Sequence, residues 1–91
     1  MATTNTATYE GQTFTRTGRR YSHAVVTTSA KGDPRPLIEW ASTLELAQRN
    51  QRAHLNRAET VKGGGELRGH CFNREYYAQL IDSIIVPVSH S

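Results

Sequence analysis

Ninety-one residues at 36% hydrophobic content suffice for one domain with a layer of helix on a sheet, and they are too few for two cores. The formal charge of +3 rests on nine arginines and two lysines against eight acids; guanidinium stays charged and forms bidentate pairs with carboxylate or phosphate. A single cysteine, Cys71, excludes an intrachain disulfide, and no apolar run nears the roughly 20 residues of a membrane-spanning helix.

The first nine residues, MATTNTATY, are polar and show neither apolar periodicity nor the apolar core of a signal peptide. They are expected to be a disordered tail, residues 10–89 a single domain, and the protein cytoplasmic. Thr13 to Arg16 is strand-prone, Thr17-Gly18-Arg19 can turn, and Tyr21 to Thr28 is a second β-rich run, so the two runs are expected to form a hairpin. In the second run Tyr21, His23, Val25 and Thr27 share one side, with more bulk than Ser22, Ala24, Val26 and Thr28. Ser29 to Pro36 reads as a proline-containing loop, and Leu37 to Ala41 as a short strand.

Trp40 to Lys62 contains the one long helical pattern. Ser42 with Glu45 three residues later makes a capping box and starts the helix near Thr43. Leu44, Ala47, Gln51, Leu55 and Ala58 recur as a stripe expected to face the sheet, with His54 and Val61 on its flank, and Gly63-Gly64-Gly65 stops the helix. Trp40, where strand becomes helix, is expected to anchor one to the other. Gly63 to Gly69 reads as a connection, and a helical turn capped by Asn73 is expected through Tyr77. Ile81 to Val88 is the strongest strand, with Pro87 suited to an edge. These elements give an α+β fold, a small antiparallel sheet of three or four strands on one main helix, in the order β-β-β-α-β with a short extra helix. The 81–88 strand offers a route to a homodimer.

The helix surface away from the stripe carries the most function-like pattern. Arg49, Asn50, Arg52, Asn56 and Arg57 have no acid among residues 46–57, and Leu46 and Ala53 fall on the same side. Apolar residues ringed by arginines suit a protein interface, and guanidinium beside amide suits a nucleic-acid backbone and its base edges. Arg16, Arg19, Arg20 and Tyr21 form a second basic cluster at the hairpin. Glu45 is spaced to pair with Arg49. His23, His54, His70, Cys71 and His90 lack the paired spacing of metal sites, and His70 beside Cys71 is not a catalytic constellation, although a small enzyme using them is the weakest of three readings. The glycine run has no phosphate-loop lysine and follows its helix. No catalytic residue, metal or cofactor is expected.

The segments RYSHAVV at 20–26, Trp40-Ala41 followed by Leu46-Ala47-Gln48, and the closing Ile85-Val86-Pro87-Val88 resemble small proteins encoded by tailed phages of actinobacteria. The resemblance covers about residues 20–89 and carries over no activity or site residue. It implies a phage accessory context, in which small proteins bind a host or defence-system protein. The expected function is therefore non-catalytic inhibition by protein–protein contact, with nucleic-acid binding as the alternative and no membrane partner.

Overall fold

Alternating threonines flank Glu10-Gly11, and the two runs close into a hairpin. A computed structural model describes residues 2–30, 36–65 and 74–91. Strand β1 (Thr3–Tyr9) pairs antiparallel with β2 (Gln12–Gly18) in unbroken register from Thr3↔Gly18 to Tyr9↔Gln12. Glu10 and Gly11 both have positive φ, 48° and 78°, the turn geometry whose twist matches that of the strands it joins. The expected disordered tail is thus a strand, and the expected pairing of Thr13–Arg16 with Tyr21–Thr28 does not occur. The reason is residue chemistry: β-branched threonine favours extended backbone without being apolar, and the alternation buries Asn5 and Ala7 completely. On the other side of β1 lies β6 (Ser89–His90), where Thr4 and Ser91 exchange both backbone hydrogen bonds.

The second sheet contains β3 (His23–Ser29), β4 (Leu37–Ala41) and β5 (Leu80–Pro87), all antiparallel in the order β4-β3-β5. Period-2 alternation sends successive side chains of β3 to opposite faces. Val25 packs with Ala41, Ile85 and the main helix. Ala24 packs the other way, with Trp40, Val86, Val88 and Ala7 of β1. Both sides of β3 are core because the helix covers one face of this sheet and the β1 hairpin covers the other. The fold is α+β as the sequence indicates, with its strands divided between two small sheets. Trp40 contributes to the hairpin side, so it does not anchor the helix.

Helix α1 (Leu44–Lys62) is capped by Thr43, whose Oγ1 accepts from the Leu46 amide. This moves the cap one residue beyond the expected Ser42, and Glu45 then falls outside the reciprocal position of a capping box. The helix ends as expected after Lys62. Gly64 takes φ 86°, its amide reaches Val61 O, and the Gly65 amide reaches Thr60 O at 2.8 Å, the paired bonds of a Schellman motif. The buried residues are Ala47, His54, Ala58 and Val61. Leu44 and Leu55, expected to be buried, are 46% and 42% exposed. The buried face is turned so that His54 occupies the central position, because Glu39 on β4 and Tyr77 on the short helix α2 (Arg74–Ala78) both hydrogen-bond it. Asn73, the expected cap of that turn, lies outside the described residues.

Candidate binding surface

The hairpin end of the molecule assembles the second basic cluster around one buried amide. Asn5 is fully buried, and its Nδ2 donates to the carbonyls of Arg16 and Arg19 at 3.0 and 2.9 Å. Its Oδ1 accepts from the Tyr21 amide at 2.8 Å. A single side chain in β1 therefore fixes both the end of β2 and the segment leading to β3, as a buried amide must when its donors and acceptor all need partners. Gly18, at φ 148°, gives the chain the backbone freedom to leave β2 at this point.

Tyr21 then receives two guanidinium groups. Arg16 Cζ lies 5.5 Å from the ring centroid and Arg19 Cζ lies 5.7 Å from it, both within the range of cation–π attraction. Trp40 stands behind, with its centroid 6.1 Å from that of Tyr21 and the planes tilted by 43°. The Tyr21 carbonyl bonds His90 Nε2, which ties the platform to the C-terminal strand. Arg16, Arg19 and Arg20 are exposed while Tyr21 is half-buried. The aromatic residue acts as a base plate and the charged groups as its outer surface.

The helical arginines are divided. Arg49 and Arg52 are exposed on the outer side of α1 with Asn56. Arg57 bends toward α2, its Nη1 donating to Tyr77 OH at 3.1 Å and its Cζ 5.8 Å from the Tyr77 ring. Leu46, expected on the outer face, is half-buried and packs against the Val25, Ala41 and Ala47 cluster, and Asn50 is half-buried. The predicted apolar pair framed by three arginines is therefore not formed. At about 100° per residue Arg57 lies roughly 80° from Arg49 and roughly 140° from Arg52 around the axis, and it is the bond to Tyr77 that draws it away from them. Glu45 does not pair with Arg49: among the described residues no carboxylate pairs with Arg16, Arg19, Arg20, Arg49 or Arg52. The two arginine groups also belong to elements on opposite faces of the β4-β3-β5 sheet.

The grouping hardest to see in the sequence is Glu39, His54, Arg57 and Tyr77. His54 is 4% exposed, with Nε2 on the Glu39 carboxylate and Nδ1 3.1 Å from Tyr77 OH. With the Nε2 hydrogen directed at Glu39, Nδ1 accepts from Tyr77, whose oxygen also accepts from Arg57. Tyr76 beside them donates to Thr27 O at 3.3 Å. Burial, and then the neighbouring Tyr77 and Glu39, raise its pKa. This network joins α1, α2 and β4 within the fold. Its only warning in the sequence is a histidine at a helical spacing from Ala47, Ala58 and Val61.

His23 bonds Ser22 Oγ at 2.8 Å, and among the described residues no three His, Cys, Asp or Glu side chains converge as metal ligands. His70 and Cys71 lie outside the described residues. No described helix is long and apolar enough to cross a membrane. No family model matches the chain, and neither a curated protein nor a solved structure matches it.

Proposed function

We propose that this chain is a non-catalytic binding protein of the phage accessory type, and that it engages an acidic surface on a host or defence-system protein through Arg16, Arg19, Arg20 and Tyr21. The observation that carries the reading is the bracing of two acid-free guanidinium groups on a tyrosine whose backbone is pinned by Asn5. Arginine normally loses side-chain entropy when it binds, and stacking on a ring held by the fold reduces that loss. With the aromatic faces occupied, the guanidinium edges remain to form paired hydrogen bonds to carboxylates. Aromatic and arginine residues also dominate the energetic centres of protein interfaces.

A second reading, nucleic-acid binding, is favoured by Arg49 and Arg52, which are also acid-free and exposed. Phosphate presents the same paired acceptors as carboxylate. Capture from host lysate, with and without nuclease, separates the two. The protein reading expects a nuclease-resistant partner that is lost when Arg16 and Arg19 are changed to Ser. Capture abolished by nuclease, with a steep salt dependence, transfers the assignment to nucleic acid.

A further inference from the structure

Two three-stranded sheets have four edge strands, β2, β6, β4 and β5, and of these β5 and β2 differ sharply. On β5 three backbone groups are taken by side chains: the Ser83 amide donates to Asp82 Oδ1, Ser83 O accepts from Gln51 Nε2 at 2.8 Å, and Leu80 O accepts from Lys62 Nζ. Pro87 has no amide hydrogen to offer. Such devices block strand addition, and they stand against the dimer route expected through residues 81–88. By contrast, β2 has β1 as its only strand partner among the described residues. It is seven residues long, unbroken in register and free of proline, and all of it except Phe14 is exposed.

The outward groups of β2 follow from the alternation of an antiparallel ladder. Thr4 bonds β6 through both backbone groups, so Thr4, Thr6 and Thr8 point that way and Thr3, Asn5, Ala7 and Tyr9 point toward β2. Their partners Gly18, Arg16, Phe14 and Gln12 are thereby used within the hairpin. Thr13, Thr15 and Thr17 present their N–H and C=O groups outward. We propose that this edge pairs with β2 of a second copy about a twofold axis at Thr15, joining the two hairpins into one continuous sheet.

The sequence of β2 is self-complementary in that register. Thr15 meets Thr15 of the second copy, Thr13 meets Thr17, and Phe14 meets Arg16. Every outward donor and acceptor is used, and each copy's arginine lies opposite an aromatic ring. The neighbouring registers are poorer. An axis at Arg16 sets like charges directly opposite, and an axis at Phe14 leaves the Thr17 groups unpaired. On the outer face the threonine pairs Thr4–Thr17, Thr6–Thr15 and Thr8–Thr13 continue across the axis as one uncharged ladder. The pairing shares Arg16 of β2 with the binding surface proposed above, and it is tested at Thr15, which belongs to neither arginine group.

Sedimentation of the full chain over a concentration series tests the pairing. The wild type is expected to reach a dimeric mass, and Thr15→Lys, which sets two ammonium groups on the axis, is expected to remain monomeric with an unchanged circular dichroism spectrum. Directly opposed residues that exchange both backbone bonds have Cα atoms about 5.5 Å apart, within disulfide reach. In a Cys71→Ser background, Thr15→Cys is therefore expected to crosslink with itself. Thr13→Cys should crosslink only when mixed with Thr17→Cys. A wild type that stays monomeric throughout overturns the proposal. So does a dimer that Thr15→Lys leaves intact, or one in which Thr15→Cys fails to crosslink.

Discussion

His54 Nδ1 lies 3.1 Å from Tyr77 OH, a contact that binds the middle of α1 to α2 and sets which face of the main helix is buried. The ring has polar partners on both nitrogens and almost no solvent. Removing it leaves Glu39 and Tyr77 short of a partner and opens a cavity beneath the helix. His54→Ala is expected to cost about 2 to 4 kcal/mol. Leu55→Ala, at a 42% exposed position, is expected to cost less than about 1 kcal/mol. Paired denaturant melts check the order, and a larger loss at Leu55 contradicts it.

Asn5 does for the hairpin what His54 does for the helix. Asn5→Ala strips partners from the Arg16 and Arg19 carbonyls and the Tyr21 amide, and is expected to cost about 2 to 3 kcal/mol. It should also release the two arginines from the ring. The check is Tyr21 side-chain relaxation by NMR, where the variant is expected to show greater mobility than the wild type.

The backbone of Glu10 is strained at φ 48°, a conformation that asparagine tolerates better than other non-glycine residues. Glu10→Asn creates the Asn-Gly pair that two-residue hairpin turns favour. It is expected to stabilise the protein by roughly 0.5 to 1 kcal/mol, read from the denaturant midpoint at constant m-value.

Tyr76 supplies a pH dependence. Its pKa in the folded protein is raised, first by burial and then by Tyr77 and Glu39, while in the unfolded chain it ionises near the usual tyrosine value of about 10. The folded state therefore holds the phenolic proton more tightly. The associated stability is present below pH about 10 and is lost as pH rises through the higher folded value. Tyr76→Phe is expected to lower stability at neutral pH, by loss of the bond to Thr27 O, and to flatten the alkaline decline. Urea melts between neutral and alkaline pH show whether the slope changes.

The parts of the fold written as apolar periodicity or turn chemistry were legible: α1 and its glycine stop, the 81–88 strand, and the α+β class. β1 was hidden because its buried face is built from Asn5 and Ala7 among threonines, which hydropathy scores as polar. The signal that could have found it is Thr-x-Thr alternation on both sides of Glu10-Gly11. The buried face of α1 is turned from the one its leucines mark, because hydropathy ranks leucine above histidine, and His54 becomes a core residue only when Glu39 and Tyr77 arrive from distant parts of the chain. The same limit applies to the site. Arg16, Arg19 and Tyr21 were visible as neighbours, but the separation of Arg57 from Arg49 and Arg52 depended on where α2 would place a tyrosine hydroxyl.

Which arginines bind the partner is decided by one comparison. Using the partner captured from host lysate, affinity is measured for Arg16→Gln/Arg19→Gln and for Arg49→Gln/Arg52→Gln, both retaining wild-type thermal stability. The hairpin pair is expected to weaken binding by at least about tenfold, as the loss of charge-assisted contacts at an interface centre does, while the helix pair stays within about twofold of wild type. Full affinity in the hairpin variant, with the loss found in the helix variant, would contradict the account and move the working surface to the outer face of α1.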